Sequence, residues 1–276
     1  MTTLPETLVA PASDGYTPTI RIEIEDEIGW IIFANARRRN AVTLSMWRQI
    51  PFAFNGLQGD PRVKVIALRG EGEISFASGA DVNEFGSKRS TPEQLVEYDQ
   101  LVMTASATIM ACTKPTVAVI RRWCIGGGLA IALCCDLRIA SEDSRFAIPA
   151  AKLGLGYRYT GVKALVDIVG PATAREIFYT ARQYPTGEAR ELGLINRAFP
   201  VADFEADARG YLKEIAQNAP LTIYAAGLSV NAALMDPSAS ALEAVDAAIR
   251  TCFESADYME GCAAFAEKRR PIFRGN

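Results

Sequence analysis

Histidine is absent from all 276 residues. That absence excludes Ser-His-Asp hydrolysis, a histidine-activated cysteine and histidine-ligated zinc. Proton transfer is left to Asp, Glu, Tyr, Lys, Cys or water. Cysteine spacing of the metal or redox type is lacking too. Cys112, Cys124, Cys134, Cys135, Cys252 and Cys262 form no CxxC pair, and most sit inside apolar runs. They read as buried free thiols in a reducing cytoplasm. No stretch reaches the roughly 18 consecutive apolar residues of a membrane span. Met1 to Tyr16 lacks the basic and apolar regions of a signal peptide and reads as a frayed tail rich in Pro, Ser and Thr. A net charge of -3 offers no excess of cations for a nucleic-acid duplex. The expectation is a cytoplasmic protein with no membrane, nucleic-acid or metal partner.

What is present is a large core. Hydrophobic residues make up 49% of the chain and charged residues 22%, ordinary for a globular protein. Ile20–Ile24 and Gly29–Ala34 are β-rich runs around Glu25-Asp26-Glu27 and predict a hairpin. Leu44–Leu57 has helical spacing, with Pro51 demanding a kink or break. Val63–Leu68, Thr116–Ile120, Leu137–Ala140 and Arg145–Ile148 predict further strands. Thr91-Pro92-Glu93-Gln94 is a capping box opening a helix to about Ala111. Ala172–Thr180 and Thr186–Leu192 predict helices, the second capped by Thr186 and stopped by Gly193. From about Val201 the pattern is helical throughout. Alternating strands and helices followed by a helical tail argue an α/β core with buried strands. The division expected is a tail over 1–16, a core over 17–200 and a helical domain over 201–276.

Two glycine turns carry the chemical signal. Phe76-Ala77-Ser78-Gly79-Ala80-Asp81 follows a strand and loop. Trp123-Cys124-Ile125-Gly126-Gly127-Gly128 follows another strand and opens an apolar helix. Glycines at a helix start leave backbone N–H groups bare, and the helix dipole adds partial positive charge there. Such a site stabilises an oxyanion. The same glycines also suit close packing of helix on sheet, and the spacing alone leaves both readings open. Neither turn fits GxGxxG or the Walker pattern.

From about Ile20 to its end the chain resembles the crotonase (enoyl-CoA hydratase/isomerase) superfamily. The elements occur in family order: Asn40-Ala41, FASGAD, KPTVAVI, GGG…CCD, GEARELGL and AFAEKRRPIF. The resemblance implies a spiral of ββα units (ClpP-like) with a C-terminal helical trimerisation domain. It also implies a homotrimer or dimer of trimers, and CoA as part of the substrate with no separate cofactor. It implies an oxyanion hole made by the amides of Ala80 and Gly127, with Gly126 and Asp81 beside them. Arg37 and Arg38 match basic residues near the CoA phosphates, and Ser78 matches a backbone position near the adenine. Phe265 and Lys268 match positions that reach a neighbouring subunit's CoA. As charge runs and helix residues, the same side chains also have bland readings as a solvated face and a helix core.

Departures from the family pattern shape the reaction expected. Hydratases carry a glutamate two residues after GGG and another after the proline of F-x-x-P. Here those positions are Ala130 and Ala150. Arg158 stands where dienoyl-CoA isomerases have an aspartate. The run Lys152–Gly161 holds Tyr157, Arg158 and Tyr159, and with the tail it resembles methylmalonyl-CoA decarboxylase, which has a tyrosine aligned with Tyr157. That enzyme has a histidine where this chain has Ala80, and keeps the first glutamate. The leading expectation is decarboxylation of a malonyl-type acyl-CoA. The reacting site would use Ala80, Gly127 and Tyr157, with Arg158 meeting a substrate carboxylate or pairing with an acid. The alternatives are a hydratase or isomerase with a substitute acid such as Asp81 or Glu84, and a non-catalytic acyl-CoA binder.

Overall fold

The computed structural model describes residues 16–234 and 236–276; the tail expected over 1–16 lies outside the described residues except for Tyr16. The chain opens with a hairpin, β1 (Thr19–Glu25) and β2 (Ile28–Ala34), paired antiparallel with Thr19 opposite Ala34. Asp26 and Glu27 both take positive φ at its tip, as a two-residue hairpin turn requires. Helix α1 (Leu44–Gly59) follows. It runs through Pro51 instead of breaking there. The proline's missing N–H leaves the Trp47 carbonyl without its helical donor, a cost the packing of α1 overrides.

The chain then repeats one pattern. It lays β3 (Val65–Gly70), then β4 (Ser75–Ala77), and crosses through the short α2 (Phe85–Lys88) and long α3 (Pro92–Met110). It lays β5 (Thr116–Ile120), then β6 (Trp123–Ile125), and crosses through α4 (Gly127–Cys134). It lays β7 (Leu137–Ser141), then β8 (Arg145–Ala147), and crosses through α5 (Ala150–Leu153) and α6 (Tyr159–Thr180), which is interrupted at Gly170. The first strand of each pair joins one sheet, ordered β1-β2-β3-β5-β7 and then β10 (Arg197–Phe199). The second joins another, ordered β4-β6-β8 and then β9 (Tyr184–Pro185). Strands β9 and β10 flank α7 (Thr186–Glu191). Each turn of strand, strand and helix advances the spiral by one position.

Burial explains the sequence pattern. All seven residues of β2 are buried, because the large sheet is covered on both faces. Ile31 and Phe33 point into the main core with α1, α3, α4 and α6. Ile28, Trp30 and Ile32 point to the other face. There they meet Phe204, Ala208 and Leu212 of α8 (Phe204–Ala216). The sequence groups α8 with the helical tail; in the fold it packs on the sheet. Beyond it, α9 (Pro220–Ala233), α10 (Ala239–Glu254) and α11 (Ala256–Ala266) pack on one another. The buried Asp257 carboxylate accepts from the amides of Arg274 and Gly275 and pins the last residues down.

Two capping expectations change in detail. Thr91 Oγ1 accepts from the Gln94 amide, but the Gln94 side chain accepts from Ser90 instead of closing the box on Thr91. Thr186 makes no side-chain cap on α7. Its hydroxyl is buried and donates to the carbonyls of Ser141 and Ser144, an outlet that tertiary packing supplies.

Candidate active site

The two glycine turns meet. Val42 clamps the first: its amide donates to the Gly79 carbonyl at 2.8 Å, and its carbonyl accepts from the Asp81 amide at 3.1 Å. Bonds on both sides of Ala80 leave the Ala80 amide pointing away from Val42, with no partner among the described residues. In the second turn the Gly126 amide donates to Ala147 at 2.8 Å, and Gly127 opens α4. A first-turn amide has no acceptor within its helix. A methyl group built on Gly127 would lie 3.4 Å from the Ala80 nitrogen and 3.7 Å from the Gly79 carbonyl carbon. The two bare amides therefore sit side by side, and α4 adds the partial positive charge of its N-terminus. Two adjacent bare amides of this kind can stabilise a developing oxyanion.

The three glycines of the run have different surroundings. Gly126 takes φ 53 and ψ -116 to make the turn, a conformation that a side chain opposes. Gly128 packs: a methyl group there would lie 2.4 Å from the Ala77 carbonyl oxygen and 2.7 Å from its Cβ. Gly127, between them, presents the amide.

Asn40 holds the first turn in place. It is buried, with φ 56. Its Oδ1 accepts from the Asn35 amide at 3.1 Å, and its Nδ2 donates to Glu71 at 3.0 Å and Ser75 at 2.7 Å. Those bonds tie the β2–α1 loop to the start of β4.

Several predicted residues gather here. Ser78 donates from its hydroxyl to the Arg38 carbonyl and from its amide to the Arg39 carbonyl, both at 3.1 Å. Arg38 pairs with Asp81 at 2.7 Å, and Arg37 stacks over the Tyr16 ring at 4.5 Å. The cations and Ser78 thus form one edge beside Ala80. Asp81 is 4% exposed and also accepts from the Asn83 amide and side chain. The Glu84 carboxylate accepts from the Leu44 amide at 2.7 Å and caps α1. The expectation that Asp81 or Glu84 points inward as a substitute acid is therefore corrected: both carboxylates are spent on backbone and ion-pair bonds.

On the other side, Pro149 lies against Gly126, with 3.9 Å from its Cδ to a methyl group built there. This puts Ala150 and α5 next to the GGG turn. Ala130 follows Gly127 by one turn of α4 and bonds through its amide to the Gly126 carbonyl. Tyr157 stands edge-on to Phe178, centroids 5.1 Å apart, with its ring over Gly161. Its hydroxyl has no hydrogen-bond partner among the described residues. Burial, with Cys134 and Cys124 nearby, pushes its pKa upward, so the phenol remains an O–H donor. The same burial pushes the Cys134 thiol up to about 11, and Cys124 and Cys135 rise as well. None is a thiolate near neutral pH.

Arg158 pairs with Asp99 of α3, the structural pairing that the sequence had left open beside substrate binding. Its side chain is 70% exposed and that of Asp99 24%. Phe265 projects from α11, 88% exposed, beside Phe253, Tyr258 and Phe273; Lys268 follows with φ 56. Helix α11 packs on α10. Among the described residues no group of three or more Cys, Asp or Glu is placed to hold a metal, and no helix is long and apolar enough to cross a membrane.

Sequence reasoning missed Trp47. Its ring lies 3.6 Å from a methyl group built on Gly127, a contact between α1 and α4 that no local pattern announces.

The sequence profile of the enoyl-CoA hydratase/isomerase family matches residues 23–276. A structure titled enoyl-CoA hydratase/carnithine racemase from Magnetospirillum magneticum superposes with a TM-score of 0.89 at 32% identity, covering 95% of this chain and 97% of that one. The enoyl-CoA hydratase of Bacillus anthracis gives 0.86 at 26% identity, over 93% and 99%. The crotonyl-CoA hydratase of Syntrophomonas wolfei is 28% identical, over 92% of this chain and 97% of its own.

Proposed function

The chain belongs to the enoyl-CoA hydratase/isomerase family, and from that premise we propose that it binds an acyl-CoA, polarises the thioester carbonyl on the amides of Ala80 and Gly127, and decarboxylates a malonyl-type acyl group. The observation that carries the reading is a donor pair kept bare beside methyl groups. The two amides converge, while positions 130 and 150 hold alanine and Asp81 and Glu84 are engaged elsewhere. Hydration needs one group to activate water and another to manage the α-proton. Decarboxylation needs neither. The bond from Cα to the carboxylate breaks, and its electron pair moves onto the thioester oxygen as enolate charge. CO2 leaves, and a solvent proton adds at Cα. The amides stabilise the charge as it develops.

Tyr157 supplies an O–H that orients the departing carboxylate, and Arg37, Arg38 and Ser78 form the edge that receives CoA. Phe265 and Lys268 meet the CoA of a neighbouring subunit in a homotrimer or dimer of trimers.

The test is turnover of methylmalonyl-CoA, ethylmalonyl-CoA and crotonyl-CoA, followed by mass spectrometry. The expected result is CO2 loss from a malonyl-type thioester, with kcat falling on the order of tenfold or more in Tyr157→Phe, as loss of one aimed donor does. A second reading, hydration or isomerisation with a replacement group, draws on the names of the relatives. Water addition to crotonyl-CoA without CO2 loss from either malonyl-type thioester would favour that reading. Tight CoA binding without any turnover would leave a binding protein.

A further inference from the structure

Trp47 lies on α1, outside both glycine turns, and the chemistry above makes no direct use of it. Its side chain is 1% exposed. A methyl group built on Gly127 would stand 3.6 Å from Trp47 Cζ2 and 3.4 Å from the Ala80 nitrogen. The ring and the Ala80 amide therefore lie against the same Cα. The indole N–H is buried without a hydrogen-bond partner among the described residues, so packing sets where the ring sits.

The segment leading to Trp47 is held firmly. Val42 brackets Ala80 with two backbone bonds. Thr43 Oγ1 accepts from the Met46 amide, and Glu84 accepts from the Leu44 amide. One short stretch, residues 42–47, thus touches both amide carriers, one through its backbone and the other through an aromatic ring.

We infer that Trp47 is a positioning residue for the oxyanion pair: its ring backs Gly127 and sets the separation of the Gly127 amide from that of Ala80. The inference rests on the reading that the thioester oxygen occupies these two amides. The ring's shape does the positioning, and the N–H takes no part. A donor displaced by a fraction of an ångström still meets the ligand but polarises it less, so the effect falls on the chemical step and not on binding.

The probe that tests this is 4-(dimethylamino)cinnamoyl-CoA, whose absorption moves to the red as its thioester oxygen is polarised. Bound to the wild-type protein it absorbs to the red of the free thioester. In Trp47→Phe it still binds, the red shift shrinks, and kcat on the protein's substrate falls on the order of 10- to 100-fold with KM little changed. Benzothienylalanine at position 47 keeps the ring's shape without the N–H and retains the wild-type shift. An undiminished shift in Trp47→Phe overturns the inference, and so does loss of the shift with benzothienylalanine. Absence of any shift in the wild type overturns the reading of the site, and this inference with it.

Should Trp47→Phe fail to fold, 7-fluorotryptophan places fluorine on Cζ2 itself. The Trp47 fluorine resonance then moves when the probe binds, while that of Trp30, under α8 on the far face of the sheet, does not. An unmoved Trp47 resonance overturns the inference.

Discussion

Gly128→Ala is expected to lower turnover on the order of 100-fold and to destabilise the fold. The added methyl group meets the Ala77 carbonyl oxygen at 2.4 Å, the Ala77 Cβ at 2.7 Å and the carbonyl carbon at 3.0 Å. These atoms belong to β4 and cannot swing aside as a flexible side chain would. Either α4 lifts from β4 or β4 shifts in its sheet. Overpacking of this kind costs about 1–3 kcal/mol and sometimes more. The loss of activity is the larger effect. Gly127 precedes residue 128 and Ala80 follows β4 by three residues, so either movement separates the two amides. A misplacement of about 1 Å costs on the order of 100-fold in rate. Denaturant unfolding and turnover, measured together, check both parts. A variant with wild-type stability and rate would mean that α4 and β4 have slack the packing does not show.

Asn40→Ala comes next in size. The change removes one bond accepted from the Asn35 amide and two donated to the carbonyls of Glu71 and Ser75. It also puts alanine at φ 56, a left-handed conformation that asparagine tolerates better. Leaving buried backbone groups unsatisfied costs about 1–3 kcal/mol each, and the strain adds to that. A loss of about 3–5 kcal/mol is expected, with β4 and the Ala80 turn loosened. Asn40→Gly separates the causes: it relieves the backbone and still loses the bonds, so it should fall between wild type and alanine. Unfolding free energies for the three proteins decide the matter. Equal stability of Asn40→Gly and wild type would show that the side-chain bonds contribute nothing.

How far these features were legible follows from their range along the chain. The hairpin, the strands β3, β5, β7 and β8 and the opening of α3 rest on neighbouring residues and could be read directly, whereas β4, β6, β9 and β10, two or three residues long, carry too little pattern to be read. The GGG turn could be read as an anion site or a packing device; the fold shows the packing at Gly128, and the anion site is the proposal made for Gly127. Ala80 came only from resemblance, because its bare amide results from the bonds Val42 makes to either side of it. For Asp81 and Glu84 the sequence left a structural role and a substitute acid both open; their partners Arg38 and Leu44 lie about 40 residues earlier. Thr186 looked like a cap for the same reason, since its acceptors belong to the segment around β7. Pro51 misled because propensity is local, and the packing of α1 carried the helix through it. Trp47 reads as a core tryptophan in any sequence, and only the meeting of α1 with α4 gives it a part in the site.

The most direct test of the central claim is the fate of methylmalonyl-CoA in D2O, with crotonyl-CoA as the paired substrate. An enolate held on the Ala80 and Gly127 amides predicts CO2 and propionyl-CoA carrying one solvent deuterium at Cα, with crotonyl-CoA left unhydrated. Formation of 3-hydroxybutyryl-CoA from crotonyl-CoA, with methylmalonyl-CoA untouched, would contradict it.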